Sequence, residues 1–487
     1  MLWRCFWSAS VVRRKSGRVS GIQRERIRRA IHSLQPRRAR GRPGVLGIGR
    51  NLLWSWWVWA IIAAAVGYSD HLMLSALFVF LALFTYLVAP QERSPRFGLE
   101  AEFPIHSQEF LASIAGATGV PFVENNCLTV LNNGDEFFPS MLEAISHAES
   151  TVTIEAYIYW AGDIGVRFAK ALAERRRAGV TVKVLLDAVG SATIGKEILT
   201  ILEEGRVEIA WYNPLGWSTI GRFNNRDHRK SLIIDGRIAF TGGAGFADPW
   251  VGHAQDPNHW REIQVRIEGP AAIGFQPGFA DNWLDTTGEL ISGAGYFPPP
   301  AAAGTTAIQT IMSSPEVGSS SARIMYYLSI VCARESILIA NPYFIPDDVA
   351  MEILIEARQR GVNVKIMLAG AHNDMSISRF ASMQLYGRLL AANVEIYEYT
   401  RTMMHQKTMV VDGIWTTIGT TNFDNRSFSL NEECNVCVYD RELALELEKI
   451  YSKDLQLSER ITVEKWRQRG LKARILGAAS LFLKEQL

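Results

Sequence analysis

The pattern H-x-K-x4-D occurs twice, as His228, Lys230 and Asp235 and again, 177 residues on, as His405, Lys407 and Asp412. The chain around it repeats as well. "TVTIEAYIYW" (151–160), "GVRFAKALAERRRAG" (165–179) and "VTVKVLLDA" (180–188) read as strand, helix and strand. "SILIANPYFI" (336–345), "MEILIEARQRG" (351–361) and "VNVKIMLAG" (362–370) give the same series, and "VEIAWY" at 207 is echoed by "VEIYEY" at 394. The offset drifts between 177 and 187 residues with loop length. That period is too long for a solenoid and describes a duplicated domain. Strand–helix–strand order implies a parallel sheet, so the expected class is α/β.

The paired motif carries chemistry. His and Lys two apart on an extended segment point to one face. The apolar runs "SLII" and "TMVV" then bury the strand. Asp-Gly follows each run and is a strong hairpin-turn signal, so Asp235 and Asp412 have a plain structural explanation in the turn. The His–Lys pairs have a weaker one. Two-fold packing would bring both histidines into one cleft. A neutral imidazole can attack phosphorus while a protonated one serves the leaving oxygen. The lysines would hold the non-bridging oxygens and offset charge in the transition state. Such a site needs no metal or other cofactor.

These residues resemble the phospholipase D superfamily, the duplicated "HKD" enzymes, and within it the bacterial-type cardiolipin synthases. The resemblance covers roughly residues 100–487. "GTTNFDNRSFSLNEE" is similar to the family segment after the second motif, with Asn422 and Glu433 in matching places. "HWREIQVRIEGP" (259–270) is similar to the segment after the first, with Glu262 as its acid. The resemblance implies two α/β halves sharing one cleft, a phosphatidyl-histidine intermediate and transfer to an alcohol. It also implies that Glu262 and Glu433 orient the histidines, with His228 as nucleophile and His405 as general acid. One departure stands out: "GGAG" places Gly245 where the second copy has Asn422.

The N-terminal region differs from the rest. Residues 1–50 hold fourteen Lys/Arg and one acid, Glu25, for a charge of +13; the remaining 37 basic and 48 acidic residues give −11. A basic tail on an acidic body points to an anionic partner. Two uncharged apolar runs follow, Leu52–Tyr68 and Leu72–Ala89, separated by "SDH". Each approaches the length of a membrane-crossing helix, and Trp54, Trp56, Trp57 and Trp59 crowd one end as interfacial aromatics do. The expectation is a transmembrane or re-entrant helical hairpin in the inner membrane. Basic flanks at both ends place the catalytic part in the cytoplasm. The organisation is then a basic tail (1–50, disordered or targeting), a hairpin (51–90), a first half (97–300) and a second half (301–487). The second half ends in a helix mixing Lys/Arg with Trp, Leu, Ile and Phe, suited to a lipid surface or to docking on the domain. Five scattered cysteines fit a reducing compartment, and Cys434 and Cys437, three apart on a strand, read as core residues.

The leading reading is a membrane-bound enzyme making cardiolipin from phosphatidylglycerol, with anionic phospholipids as substrates. A phospholipase D with water as acceptor uses the same residues. A nuclease on this scaffold is disfavoured by the apolar runs and the acidic body, so no nucleic-acid partner is expected. A non-enzymatic scaffold is disfavoured by two intact His–Lys pairs. Arg222, Arg226 and Arg229 near the first motif are candidates for headgroup phosphates or for a solvated loop. Oligomeric state is not fixed by the sequence.

Overall fold

The computed structural model describes residues 59–63, 72–88, 102–216, 224–314 and 321–481. The basic tail and most of the first apolar run lie outside them. The chain forms two compact units, 1–82 and 83–487. In the first, residues 59–63 are helical and the second apolar run opens helix α1, Leu72–Val88. Trp59 stacks on Phe78 with centroids 5.9 Å apart, and Ser75 Oγ donates to the Ala63 carbonyl at 2.9 Å, so residues 59–63 pack beside α1. Among the described residues no helix is long and apolar enough to cross a membrane.

The second unit is built around one long sheet. The first half contributes β1 (Val123–Asn132), β2 (Thr151–Ala156), β3 (Thr181–Asp187), β4 (Glu208–Tyr212), β5 (Lys230–Ile234), β6 (Ile238–Gly242) and β7 (Ile263–Glu268). The second contributes β8 (Thr306–Ser313), β9 (Ser336–Ala340), β10 (Asn363–Ala369), β11 (Glu395–Tyr399), β12 (Thr408–Val411), β13 (Trp415–Gly419), β14 (Asn431–Tyr439) and β15 (Ser458–Ile461). Their order across the sheet is β15-β11-β10-β9-β12-β13-β14-β8-β1-β7-β6-β5-β2-β3-β4. Apart from the extra edge strand β15, the second half mirrors the first about the antiparallel β1–β8 pair. That palindrome is the repeat written as topology.

Within each half, β-branched runs fill the inner strands and amphipathic helices make the parallel crossovers. Every residue of β2 is buried. Helix α3 (Asp163–Arg177) opens with an acid and closes with Arg175–Arg177, complementing its dipole. Gly179, at φ +98, follows its end in a conformation suited to glycine. A central cluster joins Val130, Ile233 and Val265 to Val410, Ile418 and Val436, so the halves share a core. Cys434 belongs to that cluster and Cys437 to the core on the other face, as their spacing predicts. Residues grouped by sequence with the first half also cross over. Ile105, Phe110 and Ile114 lie in the second half's core, and the Ile105 amide donates to Cys332 O at 2.9 Å.

Both Asp-Gly turns carry positive φ at their two central residues, Asp235 (+53) with Gly236 (+62) and Asp412 (+50) with Gly413 (+57), the signature of a type I′ hairpin. Each aspartate also binds the start of a neighbouring strand. Asp235 accepts from the amides of Glu149, Ser150 and Thr151 at 2.7–2.9 Å, and Asp412 from those of Arg334, Glu335 and Ser336 at 2.8 Å. Asp412→Ala strips three amides of their acceptor and is expected to cost about 2 kcal/mol in urea unfolding. A loss under about 0.5 kcal/mol would contradict this structural role.

Candidate active site

The chain reaches the site along the carboxyl ends of the parallel strands. Lys230 pairs with Ala156, the last residue of β2, and Thr408 pairs with Ala340, the last of β9. Both His–Lys pairs therefore sit at the strand edge where open α/β sheets bind ligands. Asp235 and Asp412 lie at the other ends of β5 and β12. Asp235 is roughly 16 Å from Lys230 along the strand. Both motif aspartates are turn residues, as their Asp-Gly context suggests, and lie away from the His–Lys pairs.

Each histidine is held by the opposite half. The His228 amide donates to Glu432 O at 2.9 Å, and His228 Nδ1 lies 2.9 and 3.0 Å from the two carboxylate oxygens of Glu433. The His405 amide donates to Arg261 O at 2.8 Å, and His405 Nδ1 lies 2.7 Å from Glu262 Oε2. Both glutamates are fully buried. Holding Nδ1 in this way fixes the orientation of each ring and favours the tautomer with its proton on Nδ1, facing the carboxylate. Lys230 Nζ donates to His228 O at 2.9 Å and Lys407 Nζ to His405 O at 2.6 Å, so each lysine is tied to its own histidine.

Burial sets the charges. It lowers His228 well below the ordinary imidazole value, and the fields of Lys230 and Lys407 add to it. Burial and Lys407 also lower His405, against the pull of Glu262. Burial brings Lys230 down to about 8 and Lys407 to about 7, with nearby carboxylates opposing. The two acids differ. Burial opposes ionisation of Glu262, but the hydrogen bond and charge of His405, with Lys407, hold it below the usual carboxylate range. Burial pushes Glu433 up to about 7, with Lys230 and Thr420 opposing. Crowding two buried lysines against two imidazoles makes each positive charge costly, and an anion bound among them would lower that cost.

The halves diverge in detail. Thr420 Oγ1 donates to Glu433 Oε2 at 2.5 Å, whereas at the equivalent Gly243 a Cβ would lie 2.2 Å from Glu262 Oε2. Asn422 is buried, and its side-chain oxygen has no partner among the described residues. At Gly245 a Cβ would meet Ile158 Cβ at 2.7 Å and Ile158 O at 2.9 Å, so packing forbids a second asparagine. Rings of Trp250, Trp260 and Tyr343 stand 5.4, 5.5 and 6.3 Å from that of His405. Tyr157 stands 5.1 Å from His228.

Two of the three candidate phosphate-binding arginines serve the core. Arg226 pairs with Asp187 at 3.4 Å, and Arg229 pairs with Glu155 at 3.3 Å and with Glu432. Both are buried, so they are scaffold charges; Arg222 lies outside the described residues. Thr420, Tyr157 and the aromatic wall of His405 escaped the sequence reading. Only Thr420, inside "GTTN", left a signal there.

A family model described as "Cardiolipin synthase, PLD-like domain" matches residues 141–273 and 329–455, one block in each half. The chain belongs to this family. It is 33% identical over 351 residues to cardiolipin synthase 2 of Staphylococcus epidermidis, covering 71% of this chain and 72% of that protein. Against cardiolipin synthase 1 of Bacillus cereus the identity is 32% over 385 residues, covering 77% and 75%. Phosphatidylserine synthase of Haemophilus influenzae shares the fold, with a TM-score of 0.62 at 13% identity over 77% of this chain and 99% of that one.

The depressed lysines make a pH prediction. Their folded pKa values, about 8 and about 7, lie below the ordinary 10.5, so between roughly pH 7 and 10 the unfolded chain binds more protons than the folded one. Stability contributed by these groups therefore rises with pH across that window. Urea midpoints at several pH values should show that rise, with a shallower slope in Lys407→Met. Equal slopes in the two proteins would contradict the assignment.

Proposed function

We propose that this chain is a membrane-bound cardiolipin synthase that transfers a phosphatidyl group from one phosphatidylglycerol to another. The observation that carries the reading is the crossed pair of His–Glu contacts flanked by two buried lysines. This cation-rich, dry site suits a phosphodiester. The curated relatives named as cardiolipin synthases support the same reaction.

His228 Nε2 attacks the phosphorus of the donor. The phosphorus–oxygen bond to glycerol breaks, and His405 gives its proton to the leaving alkoxide. A hydroxyl of the acceptor phosphatidylglycerol then returns a proton to His405 as its oxygen displaces His228. Cardiolipin leaves, and both histidines are restored. The lower pKa of Glu262 suits this division, because an ionised carboxylate behind His405 stabilises its imidazolium. The negative charge of the substrate lets His405 hold its proton at neutral pH. Lys230 and Lys407 bind the non-bridging oxygens, where charge builds in the transition state. Asn422, buried in the second half, adds a polar group to that side only.

The two apolar runs form the membrane anchor, a transmembrane or re-entrant hairpin. The basic tail meets anionic lipid, and the catalytic unit faces the cytoplasm. Membranes containing the protein, given headgroup-labelled phosphatidylglycerol in EDTA, should yield cardiolipin and labelled glycerol. Phosphatidic acid as the sole lipid product would make the enzyme a phospholipase D and overturn the transferase reading.

A further inference from the structure

The catalytic edge of the sheet also carries an apolar rim. Strands β2, β3 and β4 run parallel, so their carboxyl ends lie together beside Lys230; β9, β10 and β11 do the same in the second half. Val189 follows the end of β3 by two residues and Leu215 follows the end of β4 by three. Met375 and Ile377 lie beyond β10, where helix α6 (Ser376–Ala391) begins. Three chain segments distant in sequence thus bring large apolar side chains around the site: Gly190 abuts Tyr157, beside His228, Arg226 donates to Asn213 O at 3.1 Å, and Tyr343, beside His405, donates to Asp374 at 2.5 Å. Their exposures are 41% for Val189, 69% for Leu215, 45% for Met375 and 50% for Ile377. Single exposed apolar residues are ordinary, but four around one catalytic opening form a patch.

A basic helix adjoins this rim. Helix α7 (Leu471–Ser480) packs along α6 in the opposite direction. Trp466, just before α7, lies against Gly387, Arg469 donates to Gln384 at 2.9 Å, and Gly477 abuts Phe380. The carboxyl end of α7 therefore runs toward Ile377. Its outer face exposes Lys472 and Arg474 together with Leu471 and Ile475. Cations beside apolar side chains suit a helix lying at the surface of an anionic bilayer.

We infer that this edge of the catalytic unit docks on an anionic phospholipid leaflet, the apolar rim entering the acyl region while α7 lies on the headgroups. The inference rests on the lipid substrate proposed above. It gives a double-chain lipid a path to the histidines that keeps its acyl chains out of water. The hairpin then tethers the enzyme, and the rim aims it.

Leu215 and Leu290 offer a matched comparison, since each is 69% exposed. Leu290 follows Glu289, which pairs with Lys183 near the amino end of β3, so it lies toward the opposite edge. Full-length protein carrying L215C or L290C in a C5S/C127S background would be labelled with an environment-sensitive fluorophore. Each would be reconstituted in phosphatidylglycerol vesicles containing doxyl-acyl lipid. The label at 215 should be quenched strongly and the label at 290 weakly; equal quenching overturns the inference. Independently, L215D/I377D should lower turnover of bilayer phosphatidylglycerol by about tenfold or more. It should leave turnover of monomeric dihexanoyl-phosphatidylglycerol unchanged. Equal turnover of the bilayer lipid by this variant and the wild type also overturns the inference. A wild type that turns over neither lipid sinks the proposed function instead, and the quenching comparison then decides the docking face alone.

Discussion

Everything in the catalytic unit depends on two buried contacts that cross between halves, Glu433 to His228 and Glu262 to His405. Neither half supplies the carboxylate that orients its own histidine. Each supplies the carboxylate that fixes the other's imidazole and a backbone carbonyl that fixes the other's main chain. The duplication is therefore more than two similar domains joined in series. The palindromic sheet exists to bring Glu and His from opposite ends of the chain within hydrogen-bond distance, and the core cluster shared across β5–β7 and β12–β14 keeps them there.

The same arrangement costs stability. Burying ionisable groups in one dry volume is unfavourable unless each finds a partner, and here the lysines are left with depressed proton affinity. Several further charges, including Arg229, Glu155 and Glu432, are buried nearby as a scaffold around the site. A site arranged in this way gains most from an anion, which compensates the buried cations. Pre-arranged charge of this kind acts on a transition state without reorganising as the reaction proceeds.

Much of this was legible in the sequence. The repeated H-x-K-x4-D located both His–Lys pairs, and the repeated strand–helix–strand series gave the parallel halves. Period-2 reasoning placed Cys434 and Cys437 on opposite faces, and the Asp-Gly dipeptides gave both type I′ turns. The crossing was not legible, because Glu262 follows the first motif in sequence and serves the second in space. Nor was the fate of Arg226 and Arg229. Their neighbours Asp187, Glu155 and Glu432 come from strands far away in sequence, so a basic cluster that reads as a phosphate-binding or solvated loop is instead paired in the core. The absent asparagine at Gly245 was visible as a departure, but its cause, the close approach of Ile158, needed three dimensions.

The asymmetry between the halves gives the crossed geometry its sharpest test. The measurement is covalent labelling of full-length His405→Ala by a phosphatidyl donor that carries a labelled phosphate and a p-nitrophenol leaving group, which departs without a general acid, followed by mapping of the phosphohistidine. The account predicts label on His228, lost when Glu433→Gln is added and retained when Glu262→Gln is added instead. Label that survives Glu433→Gln but disappears with Glu262→Gln would contradict the crossed assignment, since His228 would then depend on the acid of its own half.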